Sequence, residues 1–201
     1  MQRRLRHRGP DGAGLHEGPH VALAATRLAL VDLPGGAQPM SSADGRWTIV
    51  YNGEIYNHAE LRAELRDRFP FRTRSDTEVA LAAACVWGAE GLARLNGMFA
   101  FFLWDAKDER GFAARDALGI KPFVYRATSD HFAFASEAKA LLNDRPRAQL
   151  DALLEYVVAP YFSGVKRPLF EGLEYLPAGH WLDVSREGIR IPRREIGRAH
   201  V

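Results

Sequence analysis

Three short segments bring polar side chains to the ends of apolar runs: TRLALVD around Arg27, YNGEIYN from Tyr51 to Asn57, and RSDTE around Asp76. Asn52-Gly53 directly follows the strand-like run RWTIVY. Between strands this pair commonly forms a hairpin-type reversal. Its other use is an oxyanion hole, with the Asn52 amide and the Gly53 N–H aimed at an oxygen that becomes negative, and glycine allowing the backbone to come close. Arg27 interrupts an apolar run, where an unpaired guanidinium is costly to bury, so it must meet a carboxylate. That partner is either an internal Asp or Glu or the carboxylate of a ligand, which the planar fork of arginine suits. Asp76 stands where a helix should begin, a place the helix dipole already favours for an acid without any ligand.

The elements that must position these residues follow from hydrophobic period. The chain opens with a helical stretch and a Gly/Pro-rich turn, RGPDGAG, followed by the apolar run HVALAATRLALVDL, which reads as one buried strand ending at Pro34-Gly35-Gly36. A strand from Trp47 to Tyr51 leads into YNGEIYN, read as a strand-to-helix turn. NHAELRAELRDRF then places Leu61 and Leu65 four apart among charges, an amphipathic helix with Asn57 as N-cap. Ser75 and Glu78 form a capping-box signature for an Ala-rich helix that stops at Gly88, with a short helix from Gly91 to Leu95 after it. MFAFFLWD, RGFAARD, FVYRAT and HFAFAS are spaced as an antiparallel meander. Helices around Ala138 to Leu142 and in LDALLEYVVA follow, then a closing hairpin around Glu187-Gly188. Strands in bulk with helices in pairs favour an α+β layered domain over a doubly wound sheet.

Composition narrows the function classes. The 201 residues are 47% hydrophobic and 26% charged, within the range of a globular domain with one sizeable core. A net charge of +2 with both signs dispersed calls for neither nucleic acid nor a membrane surface, and the basic start MQRRLRHR has no aromatic platform beside it. The single cysteine, Cys85, excludes a disulfide framework and suits a cytoplasmic location. Lying within LAAACVWG, it reads as a small buried hydrophobe. No apolar run reaches the length of a membrane span, and no glycine-rich phosphate loop is present.

Taken together, RHRGPDGAG, TRLALVD, YNGEIYN, RSDTE, LNGMFAF, ARDALGIKPF, FASEAKAL and LPAGHWL occur in the order and rough spacing of the glutamine-hydrolysing domain of asparagine synthetases. The resemblance runs from about Leu5 to about Val184, and HRGPD with NGEIYN is more similar to that branch than to related glutaminase domains. It implies a four-layer αββα sandwich of the N-terminal-nucleophile hydrolase type that hydrolyses L-glutamine to glutamate and ammonia. By the same resemblance Arg27 matches the residue holding the α-carboxylate and Asp76 the one holding the α-ammonium. Asn52 and Gly53 match the oxyanion hole, and Glu54, Leu30 and Val31 the remaining glutamine contacts. A zwitterion needs one cation and one anion, and a tetrahedral intermediate needs donors for its oxygen. The family usually has a histidine where this chain has Ala25.

The resemblance also shapes expectations about the ends. The family's nucleophile is an N-terminal cysteine whose own α-amine serves as base, and Met1 aligns with the helix before RHRGPD, so the first strand is expected to be missing. Residues 1–194 are expected to be an N-terminally truncated glutaminase domain. Residues 195–201, EIGRAHV, which back-translate to a common sequencing adapter, are expected to be a non-native tail. The fragment itself needs no cofactor. The synthetase domain, absent here, would be the partner that uses ATP and Mg2+ to amidate aspartate, and a homodimer is allowed for the full-length form. Alternatives are a related amidotransferase with a glycan or peptide acceptor, or a non-catalytic glutamine-binding module. The pure chain is expected to release no glutamate from glutamine. Turnover that Arg27→Ala abolishes would refute the truncation.

Overall fold

From Phe99 to Asp105 every residue is buried. Side chains alternate across a strand, so Phe99, Phe101 and Leu103 enter one hydrophobic cluster while Ala100, Phe102 and Trp104 enter another. The unbroken apolar run is therefore a strand covered on both faces. The computed structural model describes residues 1–28, 35–158, 167–185 and 187–190. Its strands are β1 (Gly12–Gly18), β2 (Val21–Arg27), β3 (Met40–Ser41), β4 (Trp47–Ile55), β5 (Gly97–Asp105), β6 (Arg110–Arg115), β7 (Val124–Ala127), β8 (Phe132–Ala135), β9 (Glu174–Tyr175), β10 (Trp181–Ser185) and β11 (Gly188–Arg190). The α-helices are α1 (His58–Leu65), α2 (Asp76–Trp87) and α3 (Leu150–Val158), with 3-10 turns at Gln2–Arg8, Gly88–Arg94 and Ala138–Ala140.

A six-stranded antiparallel sheet, β11-β10-β6-β5-β4-β3, forms the centre. On one face lie α1 and α2, which bury Leu61, Leu65 and the run Val79 to Ala84 against Ile49, Tyr51, Ile55 and the odd-numbered side of β5. The alanines of α2 let the helix lie close to the strands. The opposite face meets β2 and the three-stranded sheet β8-β7-β9 through Leu23, Tyr125 and the rings of Phe102 and Phe134, whose centroids are 4.5 Å apart. Beyond that second sheet, Val124 and Ala135 pack with Ala140, Leu141 and Leu5 of the helical turns, completing the expected αββα order.

Some local expectations change. The meander divides after β6, because the loop from Arg115 to Pro122 carries the chain into the second sheet. RGPDGAG is not wholly a turn: Gly12 begins β1, which pairs with β2 over their full length, so HVALAATRLALVDL is a half-exposed hairpin strand up to Arg27 rather than one buried strand. Its remainder, 29–34, lies outside the described residues. Asn57 does sit at the N-cap of α1 but makes no capping bond. Its side chain instead accepts from Asn96 N–H and donates to the Arg94 carbonyl. The capping box is half formed. Ser75 accepts from Thr77 N–H, while buried Glu78 reaches past the cap to accept from Arg72 N–H, Thr73 N–H and the Thr73 hydroxyl. Helix α2 stops at Gly88 as expected, where φ is +60°.

Two buried or half-buried acids fasten the loops. Asp116, 1% exposed, accepts from the backbone N–H groups of Phe99, Leu118, Ile120 and Lys121. Beside it Arg115 donates to the carbonyls of Gly119, Lys121 and Leu176. Glu137 joins the start of the chain to the end of β8, meeting His7 at 2.8 Å, Arg8 at 3.0 Å and Lys139 at 3.0 Å. Burial opposes its ionisation, but the hydrogen bonds from Lys139, Arg8 and His7 hold its pKa down at about 2. A depressed carboxylate contributes stability above its unfolded pKa and loses it as pH falls through the folded one. The stability difference between wild type and Glu137→Gln should therefore be full above about pH 5 and vanish toward about pH 2, as read by thermal unfolding across that window.

Candidate active site

The chemistry-bearing segments converge on one cavity of about 340 Å³ at the end of the interface between the two sheets. Arg27, Asn52, Gly53, Glu54 and Asp76 all line it. Leu30 and Val31 lie outside the described residues.

Strand β4 supplies most of the site. Asn52-Gly53 is not a turn: pairing with β5 continues through Asn52↔Ala100, Gly53↔Phe99 and Ile55↔Gly97, and the reversal comes only at Tyr56-Asn57. Burial of Ile55 and an unbroken ladder outweigh the turn preference of the dipeptide. Glycine is required for another reason. A Cβ at Gly53 would stand 2.3 Å from the Met98 carbonyl oxygen and 2.7 Å from Phe99 Cα, and one at Gly97 would stand 2.2 Å from the Glu54 carbonyl oxygen. The two strands approach too closely for side chains at either position.

Alternation then sorts the groups. Even-numbered residues of β4 carry Val50 and Asn52 toward the inter-sheet side, while odd-numbered ones carry Tyr51 and Ile55 toward the helices. In an antiparallel ladder the N–H groups alternate between edges as well. Phe99, opposite Gly53, gives its N–H to Asp116 Oδ2 and accepts from Asp116 N–H. The N–H groups of Tyr51, Gly53 and Ile55 accordingly face the other edge, where β3 pairs only with Ile49 and Thr48. Tyr51 N–H meets Gln38 Oε1 at 2.8 Å and Ile55 N–H meets Asp76 Oδ2 at 3.1 Å. The Gly53 N–H stands between them on the cavity wall. Nearby, Asn52 Nδ2 is buried with no hydrogen-bond partner among the described residues. A buried, unsatisfied amide donor is costly in a folded chain. Its placement beside a backbone N–H that faces the cavity, and that has no acceptor among the described residues, is an arrangement able to receive an oxygen that acquires negative charge.

The charged groups stand on different elements. Asp76, the first residue of α2, is 6% exposed and its Oδ2 accepts from the Tyr51 hydroxyl at 2.9 Å. Arg27 ends β2, where its carbonyl accepts from Asp11 N–H at 3.0 Å. A Cβ at Gly9 would fall 2.4 Å from Arg27 N, so glycine lets the 9–11 turn close against it. An arginine and a carboxylate on the wall of one cavity can hold opposite ends of a zwitterion.

Sequence reasoning missed the supporting residues. Gln38 joins β4 to α2, accepting from Tyr51 N–H and donating to Thr77 Oγ1 at 3.4 Å. Gln2 Nε2 donates to the carbonyls of Gly14 and Ala25. Neither carries a local signal, since both act through contacts distant in sequence. Cys85 packs against the cluster under α2, away from the cavity, and burial pushes its thiol up to about 12. It is half-buried rather than the fully buried hydrophobe expected, and it remains a thiol at neutral pH. Among the described residues no group of three His, Cys, Asp or Glu side chains could hold a metal ion. No helix of the described residues is long and apolar enough to cross a membrane.

Comparison with known proteins gives the same direction. The glutamine amidotransferase domain family matches residues 1–194. The glutamine-hydrolysing asparagine synthetase 3 of Bacillus subtilis is 40% identical over 195 residues, covering 94% of this chain and 32% of that protein. The glutamine-hydrolysing asparagine synthetase B of Escherichia coli is 44% identical over 144 residues, covering 71% of this chain and 26% of that protein. The chain thus spans about a third or less of the length of these curated relatives. Among solved structures, the glutamine phosphoribosylpyrophosphate amidotransferase of B. subtilis superposes over 88% of this chain and 35% of its own, with a TM-score of 0.59 at 22% identity.

Because a Cβ at Gly53 meets backbone rather than a flexible side-chain tip, Gly53→Ala should cost about 2 kcal/mol or more by forcing β4 from β5. Denaturant unfolding checks this, and a loss of less than half that figure would show that the strands can yield.

Proposed function

The chain belongs to the glutamine amidotransferase domain family, and we propose that its cavity holds L-glutamine with the α-carboxylate on Arg27, the α-ammonium on Asp76 and the side-chain amide carbonyl toward Asn52 and Gly53. Glu54 completes the contacts on the strand side, and Leu30 and Val31 contribute from the adjoining segment. The observation that carries this reading is the buried Asn52 Nδ2, without a hydrogen-bond partner among the described residues, beside an outward-facing backbone N–H.

When the amide carbon is attacked, its carbonyl oxygen becomes an oxyanion. Asn52 Nδ2 and Gly53 N–H are already fixed, one by burial and one by the ladder, so little reorganisation is needed as that charge develops. Each such donor typically lowers the barrier by about 3 kcal/mol. Arg27 and Asp76 act differently. They bind the unreacting end equally in substrate and transition state, setting affinity and orientation more than the barrier.

The longer relatives are named glutamine-hydrolysing asparagine synthetases, which supports a whole-protein role in making asparagine with ammonia from glutamine; aspartate as acceptor, ATP and Mg2+ are what the family resemblance adds to that role. Nothing in the described residues fits those two: no metal-holding cluster is present among them, and the sequence has no glycine-rich phosphate loop. Their chemistry belongs to the remainder of such a protein, and no step here passes through them. The cytoplasm, where glutamine and ATP are both plentiful, is the compartment this role requires.

Isothermal titration of the chain with L-glutamine tests the reading. Arg27→Ala and Asp76→Asn should each weaken binding by about 2 kcal/mol, roughly thirtyfold, since each removes a charged partner. Asn52→Ala should change affinity by less than about threefold, because its donor serves the developing oxyanion. A loss with Asn52→Ala as large as with Arg27→Ala, or no loss with the charged variants, would overturn the assignment.

A further inference from the structure

The cavity contains one buried titratable group with no part in the scheme above. Tyr51 is 9% exposed, lines the cavity, and donates its hydroxyl to Asp76 Oδ2 at 2.9 Å. Its ring belongs to the cluster beneath α1 and α2, so packing alone would explain the ring. Packing does not explain the hydroxyl, which an apolar cluster disfavours unless it finds a partner.

The hydrogen bonds to Asp76 have a common origin. Tyr51 and Ile55 are both odd-numbered residues of β4, and their donors, a side-chain O–H and a backbone N–H, both fall on Oδ2. No other hydrogen bond to this carboxylate forms among the described residues. The acid stands on α2, but the strand that carries Asn52 and Gly53 sets its orientation. Burial first, then the neighbouring charge of Asp76, drives the Tyr51 phenol far above its ordinary pKa, with Glu54 and Tyr56 adding to the effect. The phenol therefore stays protonated, and remains a donor, at any pH the fold tolerates.

A buried carboxylate that only served the start of α2 would accept from N–H groups of its own first turn. Asp76 is instead turned to the strand, with Ser75 taking the capping bond from Thr77 N–H. We propose that Tyr51 is a positioning residue that fixes Asp76 with one oxygen engaged and the other presented to the substrate α-ammonium, so that the site selects amides carrying an α-amino group. This rests on the assignment of Asp76 as the ammonium site.

The test compares two ligands by isothermal titration of the chain: L-glutamine, and glutaramate, the same amide acid without the α-amino group. Wild type should bind glutamine at least tenfold more tightly than glutaramate, and Asp76→Asn should abolish most of that preference. Tyr51→Phe, which keeps the ring and removes only the hydroxyl, should weaken glutamine about tenfold and leave glutaramate within about twofold. Equal weakening of both ligands by Tyr51→Phe, or no change in either while Asp76→Asn still loses the preference, overturns the proposal and leaves the Asp76 assignment standing. A wild type with no preference overturns both. Tyr51→Leu, lacking ring and hydroxyl, serves as the packing control. If it lowers the unfolding midpoint, Tyr51→Phe should not share that loss while losing selectivity, and a shared loss of stability with selectivity intact counts against the proposal.

Discussion

A strand has two faces and two edges, and β4 meets a different neighbour on each. Helices cover one face, the second sheet approaches the other, β5 takes one edge along its whole length, and β3 takes only the beginning of the remaining edge. The site is what results where the last of these neighbours runs out. From Tyr51 onward the outer edge presents three N–H groups in succession, and side chains rather than a strand meet the first and third. The middle one opens onto the cavity. The alternation that sends Tyr51 to the helices sends Asn52 to the other face, so neighbouring residues divide the work of orienting an acid and offering an amide.

That arrangement depends on the spacing of β4 and β5, which is set some distance away. Asp116 takes both the N–H and the carbonyl of Phe99 into its own bonds and then gathers the following loop onto its carboxylate. Arg115 does the complementary work with three carbonyls. A buried charge is costly in itself, but here the Asp116 carboxylate and the half-buried Arg115 guanidinium are each satisfied by backbone groups that would otherwise be orphaned in the bend between two sheets. The loop also brings Lys121, Pro122 and Phe123 to the cavity wall.

Much of this was legible in the sequence, and the failures have physical causes. Strands β5 to β8, helix α2 with its stop at Gly88, and the closing hairpin all carry strong periodic or glycine signals and fall where their patterns put them. The residues expected at the site converge wherever the chain is described. Asn52-Gly53 departs from the turn its local preference suggests because the ladder that Ile55 extends is a long-range feature. Asn57 and Glu78 depart in a similar way: each can satisfy a helix terminus, yet each found distant backbone donors or acceptors instead. Gln38 was invisible because a glutamine serving two elements has no sequence period.

The glycine pair at positions 53 and 97 changes what the motif can testify to. Gly53 faces a packing demand from Met98 and Phe99 that has nothing to do with glutamine, and Gly97 faces its counterpart from Glu54 and Ile55. A domain of this architecture that hydrolysed nothing would still be held to glycine at both places by its need to fold. The dipeptide is therefore a record of architecture first. An inference of activity drawn from such a glycine in another sequence has to come from the amide beside it, which is buried here without a partner among the described residues and which folding alone gives no reason to place so.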